Sequence, residues 1–124
     1  MNATQLARKA YAPTTFSLKP GRDLEAQVVG QVTSRLKAAA AKADRDFPAF
    51  VRALHENRRM WVILASDVAN TENGLAQQLR AQIFYLAEFT EFHSAKVLRG
   101  DATAEPLIEI NTAILRGLNA GKAG

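Results

Sequence analysis

The sequence predicts an all-α protein, an antiparallel bundle of four main helices preceded by a short N-terminal helix and an arm. Every long apolar pattern repeats with a period near 3.6 residues. Proline and glycine divide the chain into a few long segments that contain almost nothing strand-like, and the loops between these segments are short. At 124 residues the chain fits a single domain, with residues 1–22 as helix and arm and residues 23–120 as the bundle.

The N-terminal part contains the weakest helical pattern. Residues 2–11 predict a short helix that ends before Pro13, and residues 12–21 predict a linker or extended arm because they include Pro20 and Gly21. The first main helix is expected over residues 23–43. Its buried arc consists of Val28, Val29, Val32, Leu36, Ala39 and Ala43.

Turn and capping residues separate the next three helices. Asp46 is a suitable N-cap for a helix over residues 48–69, and Asn70 to Gly74 form the loop that ends it. A third helix over residues 75–99 ends at Gly100, and a fourth covers residues 106–118 before a frayed tail. The inward stripe of the helix over residues 48–69 is Phe50, Leu54, Asn57, Trp61, Leu64 and Val68. That of the helix over residues 75–99 is Leu75, Leu79, Ile83, Leu86, Thr90, His93 and Val97. That of the helix over residues 106–118 is Leu107, Ile110, Asn111, Ile114 and Leu118.

These stripes predict a core that contains two amides. The expected core includes Trp61, Leu54, Leu64, Leu79, Ile83, Leu86 and Ile114. Asn57 and Asn111 fall inside apolar stripes, where an unpaired amide costs about 1–3 kcal/mol. Each amide is therefore expected to have a partner, either across the bundle, where the pair would fix the helix register, or on a bound ligand.

Nothing in the sequence indicates an enzyme. Cysteine is absent, and the two histidines, His55 and His93, lie on different predicted helices without a metal-binding motif. No phosphate-binding glycine motif or nucleophile motif occurs. We therefore expect no catalytic residue, no cofactor and no metal ion.

Charge and hydropathy favour a cytoplasmic protein without membrane insertion. The chain has no run of 18 apolar residues and no apolar segment typical of a secretory signal. The net charge is +4, and the excess lies in residues 1–46, which carry 8 basic and 4 acidic residues. Because these charges are scattered singly, they favour a solvated surface over a nucleic-acid-binding site.

The third predicted helix carries more apolar surface than one packing contact requires. Tyr85, Phe89 and Phe92 repeat on an arc next to the main stripe, and Phe84 lies on the far side among charged residues. A helix of this kind is either central in the bundle or binds another protein. The candidate partner-binding residues are Phe84, Tyr85, Phe89 and Phe92, together with Arg58 beside the second stripe and Tyr11 in the N-terminal part.

Five strings resemble the FlaF family of flagellar biosynthesis proteins from alphaproteobacteria. They are ARKAY (7–11), VTSRLKAAA (32–40), ALHENRRMW (53–61), DVANTENGLAQQLRAQIFYLAEFT (67–90) and PLIEINTAILRGL (106–118). The likeness covers nearly the whole chain in the correct order. One departure is Ala76, which stands where the family usually has a proline before the third helix, and we expect a softer helix start there.

This resemblance implies a non-enzymatic, cytoplasmic flagellin-binding secretion chaperone that works alongside the translational regulator FlbT. Flagellin polymerises through amphipathic terminal helices, and a helical protein with an apolar surface can cover them before export. Two alternatives remain: a post-transcriptional regulator that binds RNA, and an adaptor that contacts FlbT. RNA binding through the N-terminal third is disfavoured because Tyr11 and Phe16 are its only aromatic residues, too few for base stacking.

Overall fold

Four helices make up the part of the chain that the structure describes. The computed structural model describes residues 18–70 and 74–123, and its helices are α1 (Leu18–Ala41), α2 (Phe47–Val68), α3 (Gln77–Leu98) and α4 (Glu105–Ala123). No strand occurs in these two ranges. The all-α prediction is therefore confirmed. The short helix predicted over residues 2–11 and the candidate Tyr11 lie outside the described residues.

The helices form a ring in which each helix packs against two neighbours. Helix α1 packs against α2 and α4, and α3 packs against the same two helices. Two apolar clusters fix the directions. One joins the middle of α1 to the end of α2, the start of α3 and the end of α4, and the other joins the end of α1 to the start of α2, the end of α3 and the start of α4. This alternation makes the bundle antiparallel, as predicted.

Most of the predicted core residues are buried. Leu54, Trp61, Leu64, Ile83 and Ile114 are among them. Leu79 and Leu86 are half-buried and pack against the edge of the first cluster.

Helix α1 begins five residues earlier than the sequence analysis places it. The arm predicted over residues 12–21 is therefore wrong for residues 18–21, which form the first turn of α1. Pro20 is compatible with this turn because the first N–H groups of a helix have no intrahelical acceptor, so proline removes no hydrogen bond there.

Helix α4 is longer than predicted. It continues to Ala123, and the tail expected to fray forms its last turns. Gly121 weakens a helix by only about 1 kcal/mol relative to alanine, which does not end a helix that is anchored by the buried Leu118. Gly117 lies where α4 approaches α3, since a Cβ added there would be 3.2 Å from Leu79 Cδ1.

The starts of α2 and α3 differ in their capping. Asp46 accepts a hydrogen bond from the Ala49 N–H at 3.2 Å, as expected of an N-cap. Ala76, the N-cap of α3, offers no side-chain acceptor. Arg80 in the first turn of α3 instead ties the two helices together, because its guanidinium donates to the Val68 carbonyl oxygen at 2.9 and 3.0 Å and so satisfies the end of α2.

Candidate partner-binding surface

Two aromatic rings on α3 point away from the bundle. Tyr85 is 71% exposed and Phe92 is 74% exposed. Each ring stands two positions after a buried residue, Ile83 and Thr90 respectively, and two positions correspond to about 200° around a helix. The rings themselves are seven residues apart, so they project from the same side of α3, two turns from each other.

Phe84 lies between this outward side and helix α2. It is 48% exposed and stands one turn after Arg80 and seven residues before Glu91, both of which contact α2. Phe84 therefore lies in the row of α3 that borders α2. We call the surface made by Phe84, Tyr85 and Phe92 the aromatic face.

An ion pair joins α2 to α3 beside the aromatic face. The guanidinium of Arg58 donates hydrogen bonds to both carboxylate oxygens of Glu91, with one N–O distance of 3.1 Å and another of 3.3 Å. These hydrogen bonds raise the pKa of Arg58 and lower the pKa of Glu91. Both side chains are partly exposed, so the pair keeps a charged border next to the rings.

Phe89 differs from the other three aromatic candidates on α3. It is half-buried, packs against the second apolar cluster and stacks on His93 with ring centroids 5.2 Å apart. His93 Nε2 lies 2.8 Å from the Thr103 carbonyl oxygen in the loop before α4. The sequence pattern places Phe89 with Tyr85 and Phe92, but the structure packs it against the second apolar cluster and against His93, the residue that contacts this loop.

A polar layer crosses the centre of the bundle between the two apolar clusters. Asn111 Nδ2 donates to Asn57 Oδ1 at 2.7 Å, and Trp61 Nε1 donates to Asn111 Oδ1 at 2.8 Å. Thr90 and Ser94 of α3 are buried at the same level, between Ile83 of one cluster and Val97 of the other. The two amides are therefore partners of each other, and the contact with Trp61 is evident only from the structure.

Several buried polar atoms in this layer lack a hydrogen bond. Asn57 Nδ2, Thr90 Oγ1 and Ser94 Oγ have no partner among the described residues. Unpaired polar atoms in an apolar core lower the free energy of unfolding, so this layer makes the fold less stable. It also restricts register, because sliding any helix by one turn would bury the amides against apolar side chains.

The described residues contain no group of three or more histidine and acidic side chains that could hold a metal ion. Among the described helices, none combines the length and the hydropathy of a membrane span.

Sequence reasoning missed a basic row on α2. Arg52 and Arg59 are seven residues apart, with His55 between them, and all three line a groove between α1 and α2. The signal was available in the spacing, since residues seven apart share one side of a helix. The spacing alone does not identify a binding surface, because the neighbouring helix α1 that completes the groove is evident only from the fold.

One comparison with known proteins gives a match. The family model described as "Flagellar protein FlaF" matches residues 7–118, which is most of the chain and includes helices α1 to α3 and the greater part of α4. No curated protein and no solved structure matches.

Proposed function

We propose, from the premise that this chain belongs to the FlaF family of flagellar proteins, that it acts as a cytoplasmic flagellin-binding secretion chaperone. In this role it performs no catalysis. It covers the amphipathic terminal helices of flagellin so that they do not pair or aggregate before export. Flagellin is the partner that the family resemblance implies, and the helical character of its termini suits a helical bundle with an exposed apolar surface.

The aromatic face carries this proposal. Three large rings remain exposed on one helix, although a buried stripe on the same helix already packs it into the bundle. Aromatic side chains dominate binding hot spots because each one buries a large, rigid area. Rings exposed to this extent contribute little to folding, which favours a role in binding.

The geometry suggests how a flagellin helix would lie. Tyr85 and Phe92 are two turns apart, about 10 Å along α3, which matches the spacing of apolar residues two turns apart on a partner helix. Phe84 would contact the same helix on the side nearest α2. The Arg58–Glu91 pair then lies at the edge, where its charges can meet polar groups on the partner.

Calorimetric titration of purified flagellin into the full chain tests the proposal. Tyr85→Ala and Phe92→Ala should each weaken binding about thirtyfold, the effect of losing roughly 2 kcal/mol at a hot spot, and should leave the melting temperature nearly unchanged. Phe47→Ala is a matched control, because Phe47 is 50% exposed but lies at the first residue of α2. It should bind flagellin like the wild type.

Two results would count against the proposal. If Tyr85→Ala and Phe92→Ala both bind flagellin as the wild type does, the aromatic face is not the site. If the wild type binds no flagellin, the chaperone role fails. Parallel titrations with FlbT and with flagellin leader RNA then distinguish the adaptor and the RNA regulator.

A further inference from the structure

A groove runs between α1 and α2, away from the aromatic face. Its volume is about 720 Å³, and it is bordered by Glu25 to Arg35 on α1 and Val51 to Leu64 on α2. With a rise of 1.5 Å per residue these stretches are roughly 15 and 20 Å long. The groove is therefore long enough for about three turns of an added helix.

The inside of the groove is apolar. Val28 of α1 and Val51 and Ile63 of α2 line it and are only half-buried, although each belongs to a helix whose other side chains fill the core. Helices α3 and α4 pack on other sides of α2 and α1, so none of the described helices covers these three side chains. An apolar groove is the form in which proteins bind amphipathic helices.

The α2 side of the groove is basic. Arg52 and Arg59 are exposed and line it two turns apart, with His55 between them. Within the described ranges neither arginine forms an ion pair. Arg35 and Glu56, which also border the groove, neutralise each other through hydrogen bonds of 2.9 and 3.1 Å. The unpaired charges on the α2 side of the groove are therefore positive. They lie along the direction in which a docked helix would run.

We propose that the groove between α1 and α2 docks an amphipathic helix of about three turns that carries carboxylates along one flank. Its apolar stripe would cover Val28, Val51 and Ile63, and its carboxylates, spaced seven residues apart, would pair with Arg52 and Arg59. This site shares no residue with the aromatic face. It is thus separate from the flagellin proposal, and either can fail alone.

A pair of designed peptides tests the docking site. Both are 14-residue fluorescein-labelled amphipathic helices with the same leucine stripe, and one flank carries two glutamates in the first peptide and two lysines in the second. Fluorescence anisotropy with the full chain should give at least tenfold tighter binding of the glutamate peptide. This preference should shrink as salt is raised, because the charges that distinguish the peptides lie at a solvent-exposed rim.

Charge reversal locates the bound peptide. Arg52→Glu and Arg59→Glu should each reduce the affinity for the glutamate peptide at least fivefold and improve binding of the lysine peptide. Arg116→Glu makes the same charge change at an exposed position on α4 and should leave both affinities unchanged. Circular dichroism of each variant checks that the bundle is folded.

Four outcomes would overturn the inference. The first is equal affinity for the two peptides, and the second is indifference of the glutamate peptide to both arginine reversals. The third is that Tyr85→Ala or Phe92→Ala no longer binds the glutamate peptide, which would place the peptide on the aromatic face. Sedimentation velocity addresses a second copy of the chain as occupant: a wild-type dimer that Arg52→Glu converts to a monomer would assign the groove to self-association instead.

Discussion

Replacement of Asn111 by leucine should destabilise the protein because it leaves buried polar groups without hydrogen-bond partners. Asn111 accepts the hydrogen bond of Trp61 Nε1 and donates to Asn57 Oδ1, and all three residues are almost completely buried. Leucine has a similar branched shape but cannot make either bond. Two buried polar groups would then be unpaired, each costing about 1–3 kcal/mol, while the added apolar side chain offsets part of the loss. We expect a net loss of about 2–4 kcal/mol.

The matching change at Asn57 should cost less. Asn57→Leu leaves only Asn111 Nδ2 unpaired, and it also removes Asn57 Nδ2, which has no partner in the folded protein. We expect a loss of about 1–2 kcal/mol. In the double variant only Trp61 Nε1 is unpaired, so the double variant should be more stable than Asn111→Leu alone. The two substitutions should thus be coupled by about 2 kcal/mol or more.

Urea denaturation followed by circular dichroism measures these losses, and the single tryptophan gives a second probe of the same transition. Thr112→Val is the control. It removes a side-chain hydrogen bond of 2.9 Å next to Asn111, but that bond goes to Ile108 within α4 and does not cross the bundle, so we expect a change below about 1 kcal/mol. If the losses at Asn57 and Asn111 simply add, or if the double variant is the least stable of the three, the polar layer does not act as one unit.

Two further predictions concern the helix starts and the ion pair. Asp46→Ala should lower the free energy of unfolding by about 1 kcal/mol because the Ala49 N–H loses its acceptor, whereas Ala76→Asp should raise it by a similar amount by supplying the acceptor that α3 lacks. If urea denaturation shows that Asp46→Ala and Ala76→Asp change the free energy of unfolding equally and with the same sign, the capping argument is wrong. Since Arg58 lowers the pKa of Glu91, the pair stabilises the fold above about pH 4.5 and loses its effect as the pH falls through the lowered pKa. Glu91→Gln should therefore weaken the fall in stability below that pH, and an identical pH profile would show that the pair contributes nothing measurable.

The helices were predictable because each buries a regular stripe. Leu54, Trp61 and Leu64 repeat at helical spacing, and such a pattern identifies the buried side of a helix without knowledge of its neighbours. The ends of the helices were less predictable. Pro20 looks the same in a linker and in a first helical turn, and Leu118 alone does not tell how far α4 continues beyond it.

The two candidate binding surfaces could not be predicted without knowledge of the fold. Periodicity gives the angle of a side chain around its own helix, but it does not say which neighbour occupies that angle. Phe89 and Phe92 are one turn apart, yet Phe89 packs against the second cluster and Phe92 is exposed. The basic row of Arg52 and Arg59 likewise becomes part of a groove only because α1 lies beside it.

The separation of the two proposed surfaces makes each one a control for the other. The aromatic face belongs to α3, whereas the groove is formed by α1 and the side of α2 that is turned toward α1. The polar layer holds these helices in one register through Asn57 and Asn111, so a variant that disturbs the bundle should damage both surfaces together. A Tyr85→Ala protein that loses flagellin but still binds the glutamate peptide has therefore lost a contact and not its fold. A variant that loses both partners together with its helical circular dichroism has lost the bundle, whereas a folded variant that loses both would show that the two partners share one surface.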